Sequence, residues 1–307
     1  MILNIFFIVI GIVLVLWGAD RLTDGAVAVA EKMKMPQIVI GLTIVAMGTS
    51  MPEFCVSLIS ALKGTSDLAV GNIVGSNIFN TLLIVGVSAL VAPMSIMKTT
   101  VRKDIPFALV ASALLLIMCL DGDISRIDAA ILFVMFLIFM YITLRGAKAQ
   151  GTDVEEKEKK PMATWLSVVW ILVGLACLIG GSNLFVDGAT AVATKLGVSE
   201  AVIGLTIVAG GTSLPELATS VVSARKGNSG IAIGNVLGSN VFNILAILGL
   251  TGVISPMTLK GITMTDLSMM VISIILIWLF SFTKYKIERW EGAILTAVFV
   301  GYIYSLL

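Results

Sequence analysis

The sequence predicts an all-α integral membrane protein of ten transmembrane helices, arranged as two inverted five-helix repeats. Three observations carry this. Of the 307 residues 58% are hydrophobic and 13% charged, with a mean hydropathy of +1.06; a soluble domain carries about 25% charged residues. The apolar residues fall into ten runs, and a helix needs about 20 residues to cross ~30 Å of hydrocarbon. The second half of the chain also repeats the first without a gap.

The runs cover residues 2–30, 36–62, 68–92, 104–120, 127–147, 163–194, 199–224, 229–254, 262–282 and 288–307. They are continuous rather than alternating, which excludes a β-barrel. The first run has no Lys or Arg before Arg21 and no clean small-residue cleavage site, so it reads as a retained span rather than a signal peptide. The first and sixth runs are long and polar at their ends, which predicts tilted helices.

Orientation follows from the basic residues. Fifteen of the twenty Lys and Arg lie on the side reached after spans 1, 3, 5, 7 and 9. Lys63, Arg126, Lys195 and Lys260 lie on the other side, and Arg21 lies within span 1. This bias puts the protein in the cell membrane with both termini outside and the central loop in the cytoplasm. That loop, with Asp153, Glu155, Glu156, Lys157, Lys159 and Lys160, is the one strongly hydrophilic stretch and reads as a solvated linker. The chain divides into a first five-helix repeat (1–145), a cytoplasmic linker (146–162) and a second, inverted repeat (163–307).

Composition also excludes function classes. A net charge of +1 argues against a nucleic-acid partner and leaves the lipid bilayer as the environment. Histidine is absent, which removes imidazole metal ligands, bases and proton relays. Cys55, Cys119 and Cys177 all sit in apolar runs, an arrangement of small buried side chains and not a disulfide framework. Without histidine, a Ser–Lys pair at depth or a zinc motif, an enzyme is not indicated, and no cofactor is expected.

The repeat is explicit. Residues 41–64 read GLTIVAMGTSMPEFCVSLISALKG, and residues 204–227 read GLTIVAGGTSLPELATSVVSARKG, an offset of 163. GNIVGSNIFN at 71–80 and GNVLGSNVFN at 234–243 keep that offset, as do Asp24 and Asp187, and Pro93 and Pro256. Five spans is an odd number, so the second copy enters the membrane from the opposite side. In secondary transporters with such inverted repeats, the substrate site lies near the midplane where the repeats meet.

The polar residues inside the runs point to that site. Glu53 and Glu216 sit near the middle of spans 2 and 7, where an unpaired carboxylate costs several kcal/mol. No Lys or Arg lies at their depth, which predicts a bound cation or a proton as the counter-charge. Pro52 and Pro215 free the carbonyls of Gly48 and Gly211, and neighbouring carbonyls such as those of Ala46 and Ala209 are candidates to turn inward. Thr49, Ser50 and Glu53 can share a helix face, as can Thr212, Ser213 and Glu216. Asn72, Ser76 and Asn80 recur every four residues on span 3, and Asn235, Ser239 and Asn243 do so on span 8. Gly71, Gly75, Gly234 and Gly238 allow close backbone approach. Against this stands the ordinary behaviour of Ser and Thr, which bond their own helix backbone, and of Asn, which glues helices together. Asp20, Arg21 and Asp24 can satisfy one another near a water-exposed end of span 1. The donors are all hard oxygens, suited to Ca²⁺ with six to eight ligands at about 2.3–2.6 Å, or to Na⁺.

GTSMPE with GNIVGSNIFN, and GTSLPE with GNVLGSNVFN, resemble the two α-repeats of the cation/calcium antiporter superfamily. Within it the chain is most similar to prokaryotic sodium/calcium exchangers, over its whole length. The resemblance implies a sodium/calcium exchanger-like fold, with one calcium site in a diamond of four short helices and sodium sites around it. It makes Glu53 and Glu216 the shared calcium ligands. Thr49, Ser50, Ser76, Asn80, Thr212, Ser213, Ser239 and Asn243 would line the sites with the carbonyls of Ala46 and Ala209. It further implies that spans 1 and 6 slide as a pair. Potassium-dependent relatives carry an acidic residue at the position of Asn243, and its replacement by an amide here speaks against potassium dependence.

The expected function is therefore electrogenic Na⁺/Ca²⁺ antiport by alternating access, with Ca²⁺ and Na⁺ as substrates and a monomer sufficient for transport. Two alternatives stay open. One is a H⁺/Ca²⁺ antiporter and the other a passive cation channel, although two carboxylates drawn from both halves of one chain suit an occluded site better than a pore.

Overall fold

The computed structural model describes residues 2–149, 162–197 and 209–306. Most of the expected linker, and the beginning of the seventh run, lie outside the described residues. Each of the ten runs contains helix. Helix α1 spans Ile2–Met33. The second run is broken at Ser50 into α2 (Gln37–Thr49) and α3 (Met51–Leu62), bent by 48°. Then follow α4 (Ser66–Val91), α5 (Thr100–Asp121) and α6 (Arg126–Ala149). The second half supplies α7 (Thr164–Lys195), α8 (Ala209–Thr212) and α9 (Leu214–Arg225). It ends with α10 (Ser229–Ile254), α11 (Met264–Ser281) and α12 (Arg289–Leu306). Among the described residues seven helices are long and apolar enough to cross a membrane, and the bent α2–α3 pair makes eight. α9 has part of its run undescribed, and α12 opens on Arg289 and Glu291.

Burial separates the helices into two shells. The most apolar 18-residue stretch of α10 is 100% buried and that of α4 is 72% buried, against 22% in α1 and 28% in α7. α4 and α10 are thus the core, and α1 and α7 turn most of their surface outward. Their outward residues, such as Ile2, Phe6, Val13, Trp165 and Leu172, are apolar and exposed, as a lipid-facing surface requires.

Two short sheets were not legible in the apolar pattern. β1 (Met94–Ser95) pairs antiparallel with β4 (Lys286–Ile287), and β2 (Asp123–Ile124) pairs with β3 (Met257–Thr258). The residues of β1 map onto β3, and those of β2 onto β4, at the sequence offset of 163. The repeat therefore extends to how the loops are tied together.

α1 and α7 pack closely through glycines spaced by seven residues: Gly11, Gly18 and Gly25 on one helix, Gly174, Gly181 and Gly188 on the other. A Cβ on Gly181 would stand 2.8 Å from the Gly11 carbonyl oxygen and 3.0 Å from the Val15 nitrogen. Those atoms are backbone and cannot step aside. Gly180, one residue away, faces outward with nothing within 4 Å. Gly181→Ala is expected to destabilise the protein by about 1–3 kcal/mol through overpacking. Gly180→Ala should leave the melting temperature unchanged or raise it, because alanine is the better helix former. Thermal melts of the two neighbours in detergent check this.

The polar end of α1 is tied to the second half. Arg21 contacts Asp20 at 2.5 Å and Asp24 at 3.6 Å, as the sequence suggests. Lys226, just past α9, adds contacts of 2.6 Å to Asp20 and 2.7 Å to Asp24. The Arg21 guanidinium also lies over the rings of Trp17 and Trp170, joining α1 to α7. The equivalent residues of the other half, Asp187 and Lys63, are both exposed. Neither makes an ion pair among the described residues.

Candidate ion-binding site

Both broken spans fail at a serine. Ser50 (φ −83°, ψ 10°) and Ser213 (φ −90°, ψ 6°) leave the helical conformation in the same way. The next helix starts one residue later with Pro52 or Pro215 in its first turn, where the missing N–H costs nothing. Glu53 and Glu216 therefore fall in the first turns of α3 and α9. Unsatisfied N–H groups at a helix N-terminus favour a carboxylate there.

The acids are buried, Glu53 at 1% exposure and Glu216 at 0%. Each is held from the opposite half. Ser50 Oγ donates to Glu216 Oε1 at 2.8 Å, and Ser213 Oγ donates to Glu53 Oε1 at 3.0 Å. The two carboxylates lie within electrostatic reach of each other. Among the described residues neither has a Lys or Arg partner, and Oε2 of each makes no hydrogen bond. Buried acceptors left this way are rare in a finished structure and call for an explanation.

Several of the other expected residues lie against the acids or the serines that hold them, and Asn80 and Asn243 bond across the halves to Asn240 and Asn77. Ser76 Oγ is 3.3 Å from Ser213 Oγ. Ser239 is buried beside Glu216, and its Oγ makes no hydrogen bond of ordinary length among the described residues. Asn80 and Asn243 are buried, and among the described residues each leaves Oδ1 unpartnered. Thr49 donates to Asn235 Oδ1 at 3.0 Å, and Thr212 is half-buried next to Ser213. Glu53 Oε2, Glu216 Oε2, Asn80 Oδ1, Asn243 Oδ1 and Ser239 Oγ are thus buried oxygens without hydrogen-bond partners among the described residues. The arrangement is chemically suited to an oxygen-seeking cation and offers no sulfur or imidazole.

Three expectations need correction. The Ala46 carbonyl does not turn out of the helix, because the break falls one residue later: Ser50 N–H still donates to it at 3.0 Å. The Gly211 carbonyl, freed by Pro215, is taken by the Ser182 hydroxyl of α7. Position 182 corresponds to Ala19 in the first half, so only the second half has this bond. The stripe of Asn72, Ser76 and Asn80 divides. Asn72 Nδ2 donates to the Glu53 carbonyl (3.2 Å) and to Ser57 Oγ (2.9 Å), and Asn235 does the same to Glu216 and Ser220. These two amides brace the helices that carry the acids. Ala209 begins the described part of the seventh span, and its side chain is outside the described residues.

Close backbone approach is confirmed in one half. A Cβ on Gly238 would meet Leu42 Cα and O at 2.6 Å, and one on Gly234 would meet Gly41 Cα at 2.9 Å. Gly75 has no such neighbour among the described residues; residues 204–205, which match Gly41 and Leu42 in the sequence repeat, lie outside them.

Asn77 and Asn240 were not singled out by the spacing argument. Both are buried and bond across the two halves next to Asn80 and Asn243. Asn80 and Asn243 each lie at the second residue of a stretch of π-helix, Phe79–Ile84 and Phe242–Leu248. Such π-turns are concentrated at functional sites. The signal available in the sequence was identity between the copies, since GSN recurs at 75–77 and 238–240.

Comparison with known proteins agrees with this architecture. A family described as sodium/calcium exchanger protein matches residues 3–145 and 166–307. A putative antiporter, CaxA, from Alkalimonas amylolytica is 39% identical, covering 100% of this chain and 99% of its own. The sodium/calcium exchanger MaX1 of Methanosarcina acetivorans is 32% identical over 99% of this chain and 98% of its own. A solved structure of the sodium-calcium exchanger NCX_Mj, soaked with 2.5 mM Na⁺ and 0.1 mM Ca²⁺, superposes with a TM-score of 0.88 at 31% identity, covering 100% and 99% of the two chains.

Proposed function

Because the chain belongs to the sodium/calcium exchanger protein family, we propose that it is an electrogenic antiporter that moves Na⁺ one way and Ca²⁺ the other by alternating access. It is a multi-pass membrane transporter, not an enzyme. The observation that carries the mechanism is the crossed cradle: two buried acids, each held by a serine of the other half, with buried oxygens that have no partners among the described residues. Two negative charges neutralise one Ca²⁺. The same oxygens can instead hold Na⁺, so the ions compete for one place and do not travel together. If more than two Na⁺ replace each Ca²⁺, a cycle moves net charge.

In this reading Glu53 and Glu216 are the calcium ligands. Thr49, Ser50, Ser76, Asn80, Thr212, Ser213, Ser239 and Asn243 line the sites, with the second lone pairs of the Ala46 and Ala209 carbonyls. Residues 1–145 and 163–307 are the two oppositely inserted units, the segment 146–162 is a cytoplasmic linker, and both termini are outside. The close glycine contact of α1 with α7 supports their moving as one body. The tie of Asp20 and Asp24 to Lys226, without its counterpart at Asp187 and Lys63, supports a conformation that is asymmetric between the two faces.

Calcium flux in proteoliposomes tests this. Uptake should require internal Na⁺, rise with its outward gradient and respond to membrane potential. Uptake driven by a pH gradient and indifferent to Na⁺ would establish proton coupling instead. Full-rate flux with no counter-ion would establish a channel.

A further inference from the structure

An asparagine beside a cation must present its carbonyl oxygen and turn its NH₂ away. Nothing in the shape of an amide enforces that choice; only its hydrogen-bond partners do. In this protein the partners of Asn80 and Asn243 are traceable to groups that cannot change role.

Two chains of bonds run between the halves. In the first, Thr81 Oγ1 donates its one proton to the Asn77 backbone carbonyl at 2.7 Å. It is then left as an acceptor for Asn240 Nδ2, 2.7 Å away. With its nitrogen committed there, Asn240 offers Oδ1 to Asn80 Nδ2 at 3.2 Å. The oxygen of Asn80 is thereby turned the other way, where it has no hydrogen-bond partner among the described residues. In the second chain, Asn77 Nδ2 donates to the backbone carbonyl of Asn240 at 3.2 Å, an atom that can only accept. Asn77 Oδ1 is left to accept from Asn243 Nδ2 at 3.0 Å, and the Asn243 oxygen is left without a partner among the described residues. All five side chains are buried, with exposures of 0–1%, so water is not available to substitute. Both chains end on a backbone carbonyl, so inverting either one would set acceptor against acceptor.

We propose that Asn77 and Asn240, with Thr81 behind Asn240, are positioning residues that lock the amides of Asn80 and Asn243 with oxygen toward the transported cation. They do not touch the ion. Asn77 of the first half sets Asn243 of the second, and Asn240 of the second sets Asn80 of the first, so the lock is exchanged between halves as the serine bonds are. The inference rests on the reading of Asn80 and Asn243 as ion ligands given above.

The test is a double-mutant cycle on the full-length protein in detergent, reading the calcium concentration that gives half-maximal thermal stabilisation, with transport KM and maximal rate in vesicles alongside. Asn77→Ala should raise the half-saturating calcium about tenfold, the scale of one lost charge–dipole contact, with the maximal rate held within about twofold. In an Asn243→Ala background the same substitution should add nothing, because there is no amide left to orient. Thr81→Val, nearly isosteric, should act in the same direction more weakly and lose its effect when Asn80→Ala is also present; it serves if Asn77→Ala does not fold. Effects that multiply in the double mutants, or unchanged calcium half-saturation in both Asn77→Ala and Thr81→Val, would overturn the lock. Glu53→Gln is run beside them. If it loses calcium stabilisation while the cycles multiply, the lock alone fails. If it keeps calcium stabilisation, the site assignment falls and the lock with it.

Discussion

Glu53→Gln is expected to lose calcium transport by more than 100-fold while the protein still folds, and Glu216→Gln to do the same. The substitution keeps the side chain's shape. A glutamine oxygen at Oε1 can still accept from Ser213, or from Ser50 for Glu216, so the cross-half bonds survive. What changes is the other atom. The unpartnered Oε2 becomes an NH₂ that points a partial positive charge into the place where a cation would lie, and one of two formal charges disappears. A unit charge 4 Å away is worth about 4 kcal/mol at an effective dielectric constant of 20, and each 1.4 kcal/mol is a factor of ten. Folding is spared for the converse reason. An ionised acid in the bilayer interior costs several kcal/mol that an amide does not, so the melting temperature without ions should hold or rise. Calcium uptake in vesicles, paired with thermal melts, checks both halves of the expectation; wild-type-like exchange in either variant counts directly against the assignment.

Gly238→Val is expected to act oppositely, damaging the fold first. α10 crosses α2 with Gly238 against Leu42, where a Cβ would sit 2.6 Å from both Leu42 Cα and its carbonyl oxygen and 2.7 Å from Ala46 Cβ. The obstruction is backbone, so the helices must separate. Overpacking of this kind costs about 1–3 kcal/mol and sometimes more. It also loosens the Thr49–Asn235 bond nearby and, through it, the register of Ser50 with Glu216. The melting temperature should fall even without ions, and calcium should no longer raise it. An unchanged melt with normal uptake would contradict the contact.

Much of this architecture could be read from residue order. Nine of the ten apolar runs match described helices to within a few residues of their ends, because membrane spans are set by length and apolarity; the start of the seventh lies outside the described residues. The break at Ser50 was foreshadowed by Pro52, and the acids stood out because a carboxylate in an apolar run has few innocent explanations. What remained hidden was relational. Ser50 and Glu53 lie on one helix, and their spacing suggested a shared site; it could not reveal that Ser50 bonds the acid 166 residues away. Asn77 escaped notice because it lies one residue off the four-residue rhythm of Asn72, Ser76 and Asn80, and its bonds run to Asn240 and Asn243 in the other half. Lys226 reaches Asp20 and Asp24 over a separation of about two hundred residues, which no local pattern encodes. The retained Ala46 bond depended on one backbone residue, Ser50, and on which side of it the helix stops.

The crossing of the serine bonds has a corollary. A lone five-helix unit would own one acid and one hydroxyl, yet that hydroxyl is aimed away from its own acid and toward its twin's. A single copy has no cradle to offer. On the proposed opposite insertion of the two halves, such a unit would need a second copy facing the other way to complete the cradle. The covalent link between the halves guarantees that this second copy is always present.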